Sequence, residues 1–472
     1  MNDNNNQSGF YLLSDNTDAF VARFALATMS LKTLDIQYYI MHNDASGQYL
    51  AYAILSAADR GVQIRILLDD INLQGRDSSL KMLSQHENIK IHIFNPLINR
   101  GWLKNIELLF NLNRAGRRMH NKIFIADNSV AIIGGRNIGD EYFDNRENLN
   151  LVDLDLLTIG PIVNDISTSF NEFWNCHLSI PIESLSKAAV IKRQLTGMRH
   201  RLKDRWKRAK NSHHFQTLRQ SDLTKKIIEK NIPFVWANAN IFYDKPDKVR
   251  QDISNKSSHF GPNVSAYAQS AYNEILLVSP YFVPSNTAMQ WLADKRKANV
   301  KIKVLTNSLS TTDVVAVHAG YRNYRKRLLQ HGINLFELKS TAQTLRAKTK
   351  SFIKGLSVSS LHAKYMVIDQ QYVFIGSANF DPRSNALNTE IGIVVDSKEL
   401  AKQTKNLFDR TTSEENSYRL QLKSADGNKK PELLWETIEQ GKNIRFSAEP
   451  KASFRKKLIV FIASLLPIEN LL

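Results

Sequence analysis

An α/β fold built twice is what this sequence predicts, and three observations carry the prediction. Strand-like and helix-like segments alternate, the alternation appears in both halves, and each half carries the same polar cassette. In the first half, Leu34–Ile40 has strand character and Tyr49–Arg60 helical periodicity after the capping candidates Asp44 and Ser46, while Val62–Leu68 is a strand rich in β-branched residues. The second half answers with Glu274–Ser279, a helix over Asn286–Lys297 after the Pro284-Ser285 start signal, and Val300–Leu305. A shorter helix and a further strand follow in each, Ile89–Phe94 and Ile333–Leu338. The pattern predicts α/β sandwiches with mixed sheets: a first domain over 1–182, a basic linker over 183–246, a second domain over 247–440 and a tail over 441–472.

The cassettes are His120-Asn121-Lys122 and His362-Ala363-Lys364, with Asp127 and Asp369 each seven residues after its histidine. Gly134 and Gly376 lie 14 residues beyond the histidines, and Asn137 and Asn379 lie 17 beyond. Five residue types recurring at five matched positions are not a coincidence of composition. Each histidine and lysine sit two apart at the start of an apolar run, so strand periodicity puts both side chains on one face and turns Asn121 or Ala363 away. Gly134-Gly135 and Gly376-Ser377 permit a tight turn, from which each asparagine can project back toward its histidine and lysine.

These residue types suit transfer at a phosphodiester, which needs a nucleophile, an acid for the departing alkoxide and donors for the non-bridging oxygens. One imidazole can attack phosphorus while the other, protonated, serves the leaving group; Lys122, Lys364, Asn137 and Asn379 supply donors. No compact His/Cys/carboxylate spacing of a metal site occurs, and the expected cofactor set is empty. The single cysteine, Cys176, excludes an internal disulfide.

The chain of 472 residues is 43% hydrophobic, enough for two domains with substantial cores, and its net charge of +18 calls for an anionic partner. Charge alone leaves nucleic acid, an acidic membrane and phosphorylated substrates open. The start, Met1–Gln7, lacks the basic-then-apolar form of a secretory signal, and no apolar run reaches membrane-spanning length. Three segments could meet a lipid surface. Lys192–Lys210 is densely cationic, with Leu195, Met198, Leu202 and Trp206 at helical spacing; Arg455-Lys456-Lys457 leads into apolar Leu458–Leu466; Trp102–Phe110 precedes the first cassette. For the first two, packing on the protein itself is the competing expectation.

The paired His-x-Lys-x4-Asp motifs, each followed by Gly-Gly/Ser-x-Asn, resemble the phospholipase D superfamily. Wider text resembles bacterial cardiolipin synthases, most closely the cardiolipin synthase C branch: Gly135–Phe143, Ser279–Pro284, Asn307–Asp313, Ala319–Arg325 and Ser377–Ser384. The resemblance runs from about Ser8 to the C-terminus. It implies two α/β sandwiches related by a pseudo-twofold axis around one shared active site, with His120, Lys122, Asp127, His362, Lys364 and Asp369 as the catalytic pattern. Asp127 and Asp369 are expected to brace the two halves, and analogy favours His120 as nucleophile. Glu390, 28 residues after His362, is expected to orient that histidine. Asp153, with Asp155 as the alternate, is its counterpart for His120, and Arg383 and Ser384 either support the second phosphate pocket or pack a turn.

The activity implied is formation of cardiolipin through a phosphatidyl-histidine, with phosphatidylglycerol as acceptor and phosphatidylethanolamine as donor. The protein would be peripheral on an anionic bacterial cell membrane, with no nucleic-acid partner and its oligomeric state open. A hydrolase releasing phosphatidic acid uses the same residues; a nuclease and a non-enzymatic basic scaffold are the remaining alternatives.

Overall fold

The computed structural model describes residues 6–464 apart from 74, 98, 100–115, 147–148, 186–191, 343–357 and 424–430. The chain forms two compact units, the first drawn from Met1–Arg146, Leu154–Phe260 and Leu387–Ile393, the second from Glu147–Asp153, Gly261–Ala386 and Val394–Leu472. Each unit thus contains one short segment from the other half of the sequence.

In chain order the first strands are β1 (Ser8–Leu13), β2 (Thr33–Tyr38), β3 (Gln63–Asp69), β4 (Ile89–Phe94), β5 (Ile123–Ala126), β6 (Val130–Gly134), β7 (Leu149–Val152), β8 (Asp155–Ile159), β9 (Ser179–Pro181) and β10 (Val235–Tyr243). All but β7 belong to the first unit, as one mixed sheet in the order β10-β1-β8-β6-β5-β2-β3-β4-β9. The run β2-β3-β4 is parallel, and the helix Ala45–Asp59 makes the crossover that a parallel pair requires. That helix starts four residues earlier than its periodicity suggests, because the Asp44 carboxylate accepts the Gly47 N–H at 3.0 Å and caps it there.

The second unit continues with β11 (Glu274–Val278), β12 (Lys301–Asn307), β13 (Asn334–Leu338), β14 (Val358–Leu361), β15 (Tyr365–Ile368), β16 (Tyr372–Gly376), β17 (Ile391–Asp396), β18 (Ser417–Lys423), β19 (Glu432–Glu439) and β20 (Lys442–Phe446). Its sheet includes the order β16-β15-β11-β12-β13-β18-β19-β20, with β11-β12-β13 parallel. A separate parallel ladder joins β14 to β7. Strand for strand, β6-β5-β2-β3-β4 and β16-β15-β11-β12-β13 have the same order and senses, so the duplication read from the sequence is a duplication of topology. Central strands such as β5 and β11 are buried along their whole length, which is why they read as apolar runs instead of alternations.

The expected division at 183–246 differs from what the contacts show. That segment belongs to the first unit: helices Lys192–Ala209, His213–Gln220 and Asp222–Ile228 lead into β10, which pairs with β1. The reason is the apolar stripe of the basic helix. Leu195, Leu202 and Trp206 are buried, and the Trp206 ring stacks on Phe24 at 4.7 Å and on Tyr52 at 5.5 Å. Packing on the protein therefore uses the apolar face, while Arg201, Lys203, Lys207 and Arg208 are exposed. The stretch Trp102–Phe110 lies outside the described residues, and no described helix is long and apolar enough to cross a membrane.

A buried ionic cluster knits the second unit. Arg325 pairs with Glu449 at 2.6 Å and with Glu337 on β13 at 2.9 Å, and it donates to His318 Nε2 at 2.6 Å. An imidazole nitrogen that accepts from a guanidinium must be unprotonated, and burial together with the Arg325 charge pushes His318 down to about 4. A folded value below the unfolded one of 6.5 means that His318 supports folding above that pH and loses its contribution as pH falls toward 4. We expect the melting temperature to drop across that window, with a cost of about 3 kcal/mol from this group. His318→Gln should flatten that part of the pH profile in calorimetry; an unchanged slope would place the acid sensitivity elsewhere.

Candidate active site

Each unit brings together one histidine, the lysine two residues on and one carboxylate, and the carboxylate comes from the other half of the sequence. In the first unit Met119 bridges in parallel to Thr389, and the next residues on the two segments are His120 and Glu390. His120 Nδ1 donates to Glu390 Oε2 at 2.8 Å. In the second unit β14 pairs in parallel with β7, Leu361 opposite Val152, and the next residues are His362 and Asp153. His362 Nδ1 donates to Asp153 Oδ2 at 2.5 Å. Parallel pairing keeps side chains in register along both strands, so an imidazole one residue beyond the pair meets a carboxylate one residue beyond its partner.

This arrangement corrects the expected assignment. Glu390 serves His120 and not His362; Asp153 serves His362 and not His120. Both carboxylates are fully buried, which strengthens their hold on the ring. Asp155, the alternate, is taken up by Arg23 at 2.8 Å and Arg136 at 3.1 Å. Its crowding also explains Gly134: a Cβ there would come within 2.2 Å of Asp155 Oδ1, so the glycine answers a need for space, not for a positive φ.

The carboxylate contact claims the Nδ1 proton, leaving the lone pair of the neutral tautomer on Nε2. Lys364 Nζ also stands 2.9 Å from His362 Nδ1; since that nitrogen carries the hydrogen shared with Asp153, the lysine contact is charge proximity, not a second hydrogen bond. Lys122 and Lys364 are buried, and each ammonium donates to the carbonyl of its own histidine. In the first unit the Tyr39 ring packs edge-on against His120 at 4.9 Å and lies 5.3 Å from the Lys122 ammonium. Its π face adds negative potential beside the Lys122 ammonium.

Asn137 is a brace as well as a donor. Its carbonyl accepts the Ile40 N–H at 3.2 Å and its amide donates to Tyr142 Oη at 2.8 Å, which leaves a second amide hydrogen for a ligand. Asn379 differs: its buried side-chain oxygen has no partner, the mark of a polar group that a ligand or water completes. Ser384 accepts the Asn379 N–H at 3.0 Å and donates its own N–H to Asp381 at 2.7 Å, so it packs the turn that presents Asn379.

Asp127 and Asp369 do not belong to the reacting groups. The Asp127 carboxylate accepts the N–H groups of Leu31, Lys32 and Thr33 at 2.7–2.9 Å, and Asp369 those of Tyr272, Asn273 and Glu274 at 2.8–3.0 Å. Each therefore fastens the turn that feeds β2 or β11, within its own unit and not across the two halves. Partial burial would raise the Asp127 carboxyl, but the three amide donors outweigh it and hold the group below its ordinary value. Both aspartates adopt positive φ, 54° and 51°, as a turn closing a hairpin requires.

Several supporting residues lay outside the sequence reading. Asp69 ends β3 and accepts the Met119 N–H at 2.8 Å; Asn307 ends β12 and clasps Leu361, accepting its N–H and donating to its carbonyl, both at 2.9 Å. These duplicated clasps fix the residue before each histidine. On the Glu390 side, Asn121 accepts from the Thr389 hydroxyl at 2.8 Å, so the cassette residue facing away from the histidine holds the carboxylate's own strand. Asp244 accepts the Glu390 N–H at 2.8 Å and Lys248 Nζ at 2.8 Å; burial, against the pull of Lys248, pushes its carboxyl up to about 6. The shared position of Asp69 and Asn307, each the last residue of the corresponding strands β3 and β12, was the available signal for the clasps.

The family model described as "Cardiolipin synthase, PLD-like domain" matches residues 24–174 and 264–412. Cardiolipin synthase C of Escherichia coli strain K12 is 37% identical over 99% of this chain and 96% of its own length. Cardiolipin synthase of Clostridium perfringens strain 13 is 26% identical over 80% of this chain and 64% of its own length. Among solved structures, phosphatidylserine synthase of Haemophilus influenzae Rd KW20 superposes with a TM-score of 0.61 over 99% of this chain and 97% of its own, at 10% identity, a likeness of fold.

The crossed pairing is open to a direct test by imidazole nitrogen NMR. Glu390→Gln should shift the ring signals and titration of His120 while sparing His362, and Asp153→Asn should do the reverse. Either substitution should also lower turnover about 10²–10⁴-fold. Perturbation of the histidine in the same half of the sequence would contradict the geometry.

Proposed function

Because the chain belongs to the cardiolipin synthase family with phospholipase D-like domains and is an enzyme of the phosphatidyltransferase type, we propose that it makes cardiolipin in two displacements on phosphorus. The observation that carries the reading is the matched pair of half-sites, each with an imidazole whose Nδ1 is bonded to a buried carboxylate and a buried lysine two residues on. Two acid–base groups of equal construction suit a reaction whose second step reverses the proton traffic of the first.

In the first displacement Nε2 of one histidine forms a bond to the phosphorus of a phospholipid, and the bond to the headgroup oxygen breaks. The other histidine, protonated, gives its proton to that oxygen. The product is a phosphatidyl-histidine, its new positive charge balanced by the carboxylate on Nδ1. A hydroxyl of phosphatidylglycerol then gives its proton to the second histidine and attacks phosphorus, and the P–N bond breaks. Lys122, Lys364, Asn137 and Asn379 hold the non-bridging oxygens. His120 is the proposed nucleophile, as the family resemblance favours. Phosphatidylethanolamine is the proposed donor, releasing ethanolamine.

Incubation with phosphatidylglycerol, with and without phosphatidylethanolamine, followed by mass spectrometry of the lipids tests this. Cardiolipin and free ethanolamine are expected together. Phosphatidic acid as sole product would make the enzyme a hydrolase, and cardiolipin with glycerol but no ethanolamine would move the donor role to phosphatidylglycerol. His120→Ala and His362→Ala should each lower turnover by about 10³-fold or more; full activity in either would overturn the mechanism.

A further inference from the structure

The tail of the chain carries a surface that the reaction does not use. Helix Phe454–Ser464 is held to the second unit on one side: Val460 is buried against Leu309 and Ala319, and Lys456 Nζ donates to the carbonyls of Leu309, Ser310 and Thr312 at 2.8–3.2 Å. Its other side is apolar and open. Phe454 is 79% exposed, Leu458 47%, Ile459 51%, Phe461 56% and Ile462 52%. Positions 454, 458, 461 and 462 follow the i, i+4, i+7, i+8 spacing of one helical face. Apolar side chains exposed singly need no explanation, whereas five on one helix of 11 residues mark a contact surface.

Charge identifies the occupant. Arg455 and Lys457 flank the apolar face, and both are exposed. Beside Phe461 opens a cavity of about 730 Å³, with Arg322, Lys326 and Lys457 in its lining. Of its two acids, Glu449 is paired with Arg325, so the cations prevail over Glu432. An apolar arc bordered by cations matches the boundary between acyl chains and anionic headgroups. The basic helix Lys192–Ala209 offers no such match, because its apolar stripe is already buried.

We propose that the outer face of helix Phe454–Ser464 rests in the surface of an anionic phospholipid bilayer, with the adjoining cavity receiving a lipid phosphate. Docked by Val460 and Lys456, the helix lies shallowly and does not cross. The choice of a bilayer over another apolar partner rests on the lipid-transfer reading above.

The test uses the full chain in co-sedimentation with vesicles of phosphatidylglycerol and phosphatidylcholine, beside vesicles of phosphatidylcholine alone. Wild type should prefer the anionic vesicles and lose that preference at high salt. Leu458→Glu with Ile462→Glu should reduce vesicle-bound protein at least tenfold, at an unchanged melting temperature and with activity retained on substrate dispersed in detergent. Arg322→Glu with Lys457→Glu should abolish the preference for anionic vesicles. Undiminished binding by the first variant overturns the proposal, as does a change from dimer to monomer without loss of binding, which would make the face a contact between copies. Reduced binding in a protein that proves unable to transfer phosphatidyl groups would sustain this surface while refuting the catalytic reading.

Discussion

Both histidine–carboxylate pairs depend on a short stretch of parallel β contact between segments far apart in sequence. His120 meets Glu390 across 270 residues and His362 meets Asp153 across 209. Neither imidazole has a tautomer or orientation fixed by its own cassette. Backbone pairing at Met119–Thr389 and Leu361–Val152 supplies the register, and the side chains follow from it. The surrounding polar groups serve that register: Asp69 and Asn307 clasp the residue before each histidine, and Asp244 and Asn121 hold the strand that delivers Glu390.

Much of this was legible in the sequence and part was not, for reasons that differ by residue. The strands and helices of both halves showed because central parallel strands are apolar runs and the crossover helix is capped at Asp44 by a residue of the expected type. The cassette histidines, lysines and asparagines showed because they recur at fixed spacing. Their carboxylates were also found, yet each was joined to the wrong histidine. Local text reports proximity along the chain, and nothing in Leu387–Glu390 reveals that it pairs with a strand 270 residues earlier. Asp127 and Asp369 mislead in another way. Duplication makes them look chemical, whereas what duplicates is a turn whose three amides need an acceptor at the same place twice.

The two basic helices illustrate how similar compositions separate once packed. Lys192–Ala209 has aromatic and aliphatic positions at helical spacing, as Phe454–Ser464 does, and both follow or contain dense cations. Trp206 finds Phe24, Tyr49, Tyr52 and Phe215, so the first helix spends its apolar side inside the unit. The second spends only Val460 and its neighbours. Periodicity gives the existence of a stripe; the number of aromatic partners on the facing helices decides whether the stripe is covered.

The reach from His120 to Glu390 also bears on how the protein comes into being. At ribosomal rates of about 5–20 residues per second, roughly 14–54 s separate synthesis of the first cassette from synthesis of the carboxylate that orients it. Through that interval the nascent chain holds a complete His-Asn-Lys sequence with no means of aligning its imidazole. A product that stops before Glu390 likewise lacks the carboxylate that orients His120. Alignment of the first imidazole by Glu390 thereby waits on synthesis of the second half of the sequence.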